Sequence, residues 1–423
     1  MRTARRLGAV LAGVGLLAIL VLTLLPNPPQ AGIADRTPLY CLVCGESGGA
    51  DVALNLLLFV PLAAGLALLG WPWARIVAVC ALLSLAVETV QYVSATGRDA
   101  SLSDLVTNTT SGALGAAIGR RFGLLLAPSP ALARRLSLLA GAAWLGALVF
   151  TAVAMRPWAP AGRLRNYCTA SYPTSEVFSG IPRSMALNGV VLACDQDVPD
   201  PRTVRRALRR GEVTLQTVAL AGDPSKGREV VHLVRTPRAA LVVLAQEGRA
   251  AVFQAPTVAQ RFELFAPVVR LSRAFPVRPG ARVELLGETE GRRLRLSSVH
   301  DAERRSVELD LSPSWGWTLL FAPGLEPGTP LRVTAALWLA ALILPAAYWA
   351  GLSGRPLGGI GELGAVVIAG LGLLPAVTGF APVHWSEWLG AGGGIAAGWA
   401  LSRIATYLQS RCGSPSTSAY SSS

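Results

Sequence analysis

The segment VALNLLLFVPLAAGLALL, residues 52–69, has no charged side chain and a single polar one, Asn55. A helix needs about 20 apolar residues to cross the hydrocarbon core of a bilayer, so this segment predicts a transmembrane span. Similar runs lie towards both ends of the chain, at Leu7–Leu25, Ala74–Val93, Leu136–Met155, Val333–Ala350, Leu363–Gly379 and Trp385–Ile404. A more polar run, Leu105–Ile118, is counted as well. The sequence therefore predicts an α-helical polytopic membrane protein with about eight transmembrane helices.

The composition excludes an ordinary soluble enzyme. Hydrophobic residues make up 52% of the 423 residues, charged residues only 15%, and the mean hydropathy is +0.46. The net charge of +13 does not indicate a nucleic-acid partner, because nearly all the basic residues are arginines, many of which flank apolar runs. Charge of this kind sets membrane topology or contacts anionic lipid head groups. Membrane lipid is the expected partner, and no nucleic acid is expected.

The arginines near the apolar runs predict the orientation of the chain. With eight spans, the basic residues that flank the first, fourth, fifth, sixth, seventh and last spans all fall on one side: Arg2, Arg5, Arg6, Arg120, Arg121, Arg134, Arg135, Arg355, Arg403 and Arg411. Positive residues favour the cytoplasmic side. We therefore expect a multi-pass protein of the plasma membrane with both termini cytoplasmic. The first run is expected to remain as a helix, because a good cleavage site does not follow it.

The middle of the chain predicts a folded β-rich domain on the outer side. Short runs of Val, Leu, Phe and Thr alternate with turn residues and predict strands at Val213–Ala219, Glu229–Leu233, Ala240–Leu244, Ala250–Gln254, Leu264–Leu271, Ala281–Leu286, Arg293–Ser298, Val307–Leu311 and Gly316–Phe321. The fifth contains Pro267 and is expected at a sheet edge. Such a series is typical of a β-sandwich. The run resembles concanavalin A-like (laminin-G-type) jelly rolls, which implies glycan recognition.

The expected domain organisation follows from these patterns. It comprises a five-helix transmembrane module at 1–156, the exterior β-sandwich at 157–330, three helices at 331–410 and a disordered tail at 411–423. The segment Leu164–Arg210 is predicted to be an irregular lead-in, with a helix at Val204–Arg210. Trp315 and Trp317 are expected to be membrane-interface anchors.

The cysteines favour disulfides over metal binding. Cys41 and Cys44 form a single CxxC in the first outer loop, where a local disulfide and a redox pair are both possible. Cys168 and Cys194 in the exterior domain are candidates for a second disulfide. The chain has only three histidines, so a four-ligand zinc site is poorly supported, and no metal or cofactor is expected.

Three predicted helices carry polar pairs that a spanning helix does not need. Asp51 and Asn55, four residues apart, share one helix face, and so do Asp104 with Asn108 and Glu88 with Gln91, the last pair three apart. Under the predicted topology all six side chains lie at the outer ends of their helices. Arg98 follows in the intervening loop.

This pattern of residues resembles the VanZ-like family. The matching stretch begins with Asp51-Val-Ala-Leu-Asn55 and Phe59-Val-Pro61-Leu62, continues with Ser84, Glu88 and Gln91, and ends with Arg98, Ser103-Asp104, Asn108, Gly112 and Gly115. Ala63 stands where the family commonly has glycine. The resemblance implies a membrane module linked to teicoplanin-type resistance. The family pattern places its recurrent polar residues at Asp51, Asn55, Glu88, Gln91, Arg98, Asp104 and Asn108.

Two interpretations of these polar residues remain open. Asp51 and either Ser103 or Asp104 could be helix N-caps, and Glu88 with Arg98 an ion pair that locks a hairpin. Alternatively, the cluster binds a ligand, since intramembrane polar groups usually face a bundle interior or a water-filled cavity. Arg98 would then grip an anionic oxygen.

The leading functional hypothesis is a cell-envelope protein that recognises a lipid-linked or cell-wall glycan or peptide and contributes to glycopeptide resistance or envelope integrity. A second hypothesis is a membrane enzyme acting on a lipid-carried head group, with Glu88 or Asp104 as the catalytic acid or base. A third is a non-catalytic tether for the exterior domain.

Overall fold

The structure is a computed structural model, and it describes residues 2–24, 47–94, 101–168, 176–223, 227–237, 239–321 and 323–412. The chain forms two compact units. The first comprises residues 1–120, 151–328 and 379–381, and the second comprises residues 121–150, 329–378 and 382–423.

The first unit begins with a bundle of membrane-type helices. Its helices are α1 (Arg2–Leu24), α2 (Gly48–Leu58), α3 (Val60–Leu68), α4 (Trp73–Ser94) and α5 (Leu102–Arg120). α2 and α3 form one apolar segment interrupted at Phe59, where the proline at 61 lacks the amide that would continue the helical ladder. The amide of Phe59 instead donates to Ser111 Oγ at 3.0 Å, which attaches the break to α5.

Helix α5 packs along the α2–α3 segment for most of its length. The contacts run in the same order on both, from Asn55 beside Asp104 to Val60 beside Gly115. A Cβ at Gly115 would lie 2.6 Å from the carbonyl oxygen of Val60, so this approach requires a residue without a side chain. α5 is therefore parallel to α2–α3, the direction that a fourth span requires.

Six helical segments among the described residues are long and apolar enough to cross a membrane. They are Ala4–Leu24, Gly48–Leu68, Trp73–Val93, Pro130–Ala154, Thr329–Leu352 and Pro356–Thr378. The prediction of a polytopic helical membrane protein is confirmed at this level. Helix α5 and the last helix, Trp385–Cys412, are the remaining two of the eight predicted spans. Both are long helices, but they are less apolar than these six segments. The count of eight spans therefore stays a prediction.

The second unit contains most of the other helices. They are α6 (Phe122–Leu126), most of α7 (Pro130–Ala154), α9 (Thr329–Leu352), α10 (Pro356–Val367), α11 (Leu374–Thr378) and α12 (Trp385–Cys412). A π-helical turn at Ile368–Leu373 connects α10 with α11. Gly390, Gly394 and Gly398, one turn apart on α12, approach the backbone of α9 closely.

The remainder of the first unit is a β domain of two sheets. The strands are β1 (Arg165–Cys168), β2 (Glu176–Val177), β3 (Ile181–Leu187), β4 (Val190–Val191), β5 (Gln196–Asp197), β6 (Glu212–Leu220), β7 (Arg228–Arg235), β8 (Ala240–Glu247), β9 (Ala250–Gln254), β10 (Val268–Leu271), β11 (Arg282–Glu290), β12 (Arg293–His300), β13 (Glu303–Asp310) and β14 (Gly324–Leu325). One sheet has the order β14-β10-β9-β8-β7-β1-β5, with β2 also paired to β7, and the other has the order β13-β12-β11-β6-β3-β4.

The two sheets pack face to face through the alternating buried side chains of their strands. Phe253 on β9 is fully buried and lies against Gly287 on β11 of the other sheet. His232 on β7 contacts Thr217 on β6, with 3.3 Å between Nδ1 and Oγ1. These contacts confirm a β-rich domain of two layers. Its identity as a concanavalin A-like jelly roll stays a prediction.

The predicted irregular lead-in, Leu164–Arg210, is wrong in part. It contains strands β1 to β5, of which β1 and β2 pair with β7 and β3 pairs with β6, while β4 and β5 pair with β3 and β1. These strands are short or irregular and leave no clear local periodicity. The helix expected at its end is present as α8 (Pro201–Arg210). Asp200 caps α8 by accepting from the amide of Thr203 at 3.2 Å. Cys168 and Cys194 form a disulfide, the pairing that the sequence offered.

Three further expectations near the end of the domain are corrected. The strand expected at Gly316–Phe321 is a 3₁₀ helix, Gly316–Leu319, because hydroxyl side chains bond locally to the backbone, as Thr318 Oγ1 does to Trp315 O at 2.8 Å. β10 starts after Pro267 and lies between β9 and β14, so it is not the edge strand. Trp315 is buried, so it is not an interface anchor.

The buried His232 predicts a pH-dependent stability of the β domain. Burial lowers its pKa from 6.5 to about 3, so the folded domain keeps the imidazole neutral while the unfolded chain protonates it below pH 6.5. The free energy of unfolding of the β domain is therefore not reduced by His232 above pH 6.5, and it falls as the pH drops from 6.5 towards 3. At about pH 5 the expected loss is about 2 kcal/mol. A His232→Leu variant should lose less stability than wild type between about pH 7.5 and pH 5 in thermal denaturation of the full chain; equal losses would contradict this assignment.

Candidate functional site

The structure brings four of the predicted polar side chains together where α2, α4 and α5 meet. Asn55 on α2 donates from Nδ2 to Asp104 Oδ1 on α5 at 2.6 Å. Glu88 and Asn108 lie next to this pair on α4 and α5 and are 7% and 3% exposed. We call Asn55, Glu88, Asp104 and Asn108, with the Ser84 hydroxyl described below, the polar cluster.

Glu88 is held by the residue that begins α5. Its Oε2 accepts from the backbone amide of Ser101 at 2.8 Å, and Ser101 Oγ accepts from the amide of Asp104 at 3.1 Å. Ser101 is therefore the N-cap of α5, and the expectation that Ser103 or Asp104 caps this helix is wrong. Asp104 lies in the first turn instead, where a carboxylate is favoured by the helix dipole. Its side chain is directed to Asn55.

Asn108 has one satisfied and one open polar atom. Its Nδ2 donates to Ser84 Oγ at 3.1 Å, and Ser84 Oγ in turn lies 3.5 Å from the carbonyl oxygen of Asp104. The amide oxygen Oδ1 of Asn108 is buried and has no hydrogen-bond partner in the described part of the chain. A buried acceptor without a partner costs about 1–3 kcal/mol, so this atom is a candidate contact for a ligand hydroxyl or N–H group.

Gln91 is directed towards α1. Its Nε2 donates to the carbonyl oxygen of Thr23 at 2.9 Å, a carbonyl left open because Thr23 lies in the last turn of α1. Its Oε1 is buried and, like that of Asn108, lacks a partner within the described ranges. Gln91 thus connects α4 to α1, beside the contacts of the polar cluster.

Asp51 lies at the start of α2 and is exposed. Its Oδ2 is 3.5 Å from Ser47 Oγ, and the N-cap position of α2 is Ser47, so the expectation that Asp51 caps this helix is also wrong. Arg98, Cys41 and Cys44 lie outside the described residues, and their predicted roles stay predictions.

Sequence reasoning did not assign a role to Ser84 or Ser101. Ser84, Glu88 and Gln91 are spaced by four and three residues and share one face of α4, a periodicity that would have included Ser84. Ser101 carries a weaker signal, because many serines precede helices. Within the ranges that the structure covers, no group of three or more His, Cys, Asp or Glu side chains could hold a metal ion.

The β domain is attached to the helices at the same end as the polar cluster. The carbonyl oxygen of Glu263 accepts from the amides of Gly49 at 3.1 Å and Ala50 at 3.3 Å, in the first turn of α2. These are amides that a helix cannot satisfy internally. The attachment lies one to two residues before Asp51, so the β domain is joined to the end of α2 that leads to the polar cluster.

A comparison with protein families finds a match to the helical part of this unit. Residues 14–125 match the family model VanZ/LLP1. The matched segment includes the second half of α1, all of α2 to α5, and every residue of the polar cluster. At the level of the family, the match supports a cell-envelope membrane protein of the resistance type. No curated protein and no solved structure gives a significant match to the chain. We refer to the matched segment as the VanZ-like domain; the β domain and helices α7 to α12 lie beyond it.

Proposed function

We propose that the VanZ-like domain binds the polar head group of a lipid-linked or cell-wall-related envelope component at the polar cluster. The observation that carries this proposal is the buried, unpartnered Oδ1 of Asn108, set beside a serine hydroxyl and the carboxylates of Glu88 and Asp104. A purely architectural cluster would be expected to satisfy its buried acceptors internally.

The chemistry of the cluster favours a ligand that donates hydrogen bonds. Its open acceptor is an amide oxygen, and its carboxylates also accept, so sugar hydroxyls or peptide N–H groups fit best. A lipid carrier would hold such a head group at the level where spanning helices end. Arg98, in the segment between α4 and α5, would supply a guanidinium for an anionic group of the same ligand. The β domain, if it is a jelly roll of the concanavalin A type, would assist recognition of a glycan.

One observation favours an enzymatic function as a second candidate. Glu88 is buried near the Asp104 carboxylate, which is an arrangement that can hold or move a proton. However, Glu88 also accepts from the Ser101 amide, which gives it a role in positioning α5. Binding alone needs only the acceptors, whereas acid–base chemistry needs an ionisable group at 88.

The test measures lipoglycopeptide susceptibility in a host that lacks the protein. Wild type is expected to protect, and Asn108→Leu is expected to lose protection because about 1 kcal/mol or more of ligand contact is removed, roughly a five- to tenfold loss of affinity. Thr110→Val is the matched control, since Thr110 is exposed on the same helix and its hydroxyl donates to Val106 O of that helix.

The variants are compared at equal membrane levels, and Glu88→Gln separates the two candidates. Glutamine keeps an oxygen for the Ser101 amide but cannot exchange a proton, so retained protection supports binding and lost protection supports catalysis. Full protection by Asn108→Leu would refute the proposed site. If no version protects, including wild type, the link to glycopeptide resistance fails for this protein.

A further inference from the structure

Two short 3₁₀ helices form the end of the β domain that lies against α2. They are Val258–Phe262 and Gly316–Leu319. A hydrogen bond from the amide of Phe265 to the carbonyl oxygen of Leu319, 3.0 Å long, holds their neighbouring segments side by side. Phe262 is the last residue of the first helix, and Phe321 lies two residues after the second. Both phenylalanines are 52% exposed. We call these two side chains the phenylalanine pair.

The first attachment places Phe262 at the boundary of a candidate membrane span. The next residue, Glu263, accepts from the amides of Gly49 and Ala50, and the span begins at Gly48. The carbonyl group of Phe262 lies so close to Gly49 that a Cβ there would be 1.9 Å from its oxygen. Phe262 is therefore fixed beside the first turn of this candidate span, where a spanning helix would leave the hydrocarbon region.

A second attachment fixes the other end of the same 3₁₀ helix. The chain that follows α7 runs beside its start, with hydrogen bonds from Trp158 N to Pro256 O at 3.3 Å and from Val258 N to Arg156 O at 2.8 Å. α7 ends at Ala154 and is itself a candidate span. Both ends of Val258–Phe262 are thus held within a few residues of the end of a spanning helix.

The side chains of this surface match the chemistry of a bilayer interface. Phe and Leu side chains of interfacial segments are buried at the boundary between the head groups and the acyl chains, and nearby Arg or Lys side chains extend to the polar head groups. Arg261, next to Phe262, is exposed. Exposed phenylalanines at this depth would otherwise face water, at a cost of about 25 cal/mol for each Å² of apolar surface.

We propose that the phenylalanine pair inserts into the head-group region of the adjacent phospholipid leaflet. The β domain would then contact the bilayer directly, in addition to being joined by the chain to the spanning helices. This contact would hold the domain against the membrane at the end of α2 that leads to the polar cluster. It does not depend on what the cluster binds, because it rests on the attachments to α2 and α7 alone.

A matched control lies at the opposite end of the domain. Val277 is 70% exposed, on the loop that precedes β11. β11 runs from Arg282 to Glu290, and the residue after it, Gly291, bonds to Gly211 beside Pro157, close to the end of α7. Nine residues of extended strand separate the two ends by about 27 Å, so Val277 lies near the end of the domain that is remote from the attachments to α2 and α7.

The experiment replaces Phe262, Phe321 or Val277 with the photocrosslinker p-benzoylphenylalanine in the full chain. The protein is reconstituted in vesicles of phosphatidylcholine and phosphatidylglycerol, irradiated, and analysed for phospholipid adducts by mass spectrometry. We expect at least about tenfold more lipid adduct at 262 and 321 than at 277, as an interfacial position requires. Adduct yields at 262 and 321 no higher than at 277, or crosslinks there only to protein, would overturn the proposal. An unchanged thermal midpoint of each variant shows that the fold is retained.

Discussion

Gly49→Ala should detach the β domain from the first turn of α2. The added Cβ would lie 1.9 Å from the carbonyl oxygen of Phe262 and 3.2 Å from that of Glu263, and both are backbone atoms that cannot rotate away. The backbone must shift, so the hydrogen bonds from Gly49 and Ala50 to Glu263 weaken. Overpacking of this kind costs about 1–3 kcal/mol and each lost hydrogen bond about 1 kcal/mol more, so we expect a destabilisation of about 2–4 kcal/mol.

Hydrogen exchange followed by mass spectrometry measures this effect in the full chain. Exchange of the peptides that contain residues 258–265 and 47–51 should accelerate by at least about tenfold, which corresponds to 1.4 kcal/mol. Gly13→Ala is the matched control, because a Cβ at Gly13 on α1 meets nothing within 4 Å and alanine favours a helix. If Gly49→Ala exchanges no faster than Gly13→Ala, the attachment at Glu263 does not hold the domain.

The same attachment relates the β domain to the candidate site. Asp51 is the second residue after Gly49, and Asn55 is one helical turn further along the same face of α2. A movement of the β domain would be transmitted through Glu263 to the first turn of α2. This turn leads to the Asn55–Asp104 hydrogen bond. Loss of protection in Gly49→Ala at normal membrane level would show that the polar cluster requires a docked β domain.

The sequence predicted the meeting of three helix ends but not how their side chains pair. Uncharged runs locate the helices, and spacings of three and four residues locate the faces of Glu88 and Asp104. The partners depend on distances between helices, which no local pattern contains. Thus the sequence offered Ser103 or Asp104 as a possible cap, whereas in the fold Ser101 caps α5 and Asp104 bonds to Asn55.

Helix α5 shows the limit of apolarity as a signal. Its polar residues include Thr107, Asn108 and Ser111, which are buried against neighbouring helices, so its mean hydropathy is low although α5 is packed along its length. A helix surrounded by protein can carry such side chains, because partner helices satisfy them. Burial of this kind cannot be read from one sequence.

The start of the β domain was missed for a related reason. Strands β2, β4 and β5 have two residues each, too few for an alternating pattern. Their position depends on partners elsewhere in the domain, as β5 depends on β1. The long strands β6 and β12 were predicted nearly to their ends, because part of their alternation of buried and less buried residues is visible locally.

Removal of the disulfide is expected to have the second large effect on stability. Cys168 ends β1, which lies between β5 and β7, and the bond to Cys194 closes a loop with a sequence separation of 26 residues. A loop of this size reduces the entropy of the unfolded chain by an amount worth about 3.5 kcal/mol at 25 °C. The double variant Cys168→Ser, Cys194→Ser should therefore expose β1 and β5 to local unfolding.

Limited proteolysis of the reconstituted full chain measures this unfolding at residues 163–198, where Arg163, Arg165 and Arg183 offer trypsin sites. A loss of about 3.5 kcal/mol is a factor of several hundred in the folded-to-unfolded ratio of this segment, so cleavage should be much faster than in wild type. Treatment of wild type with dithiothreitol should reproduce the effect, and the double variant should show no further change at these sites. Equal cleavage of variant and wild type would mean that the sheet pairing of β1 with β7, four residue pairs long, is sufficient to hold this part of the domain without the covalent link.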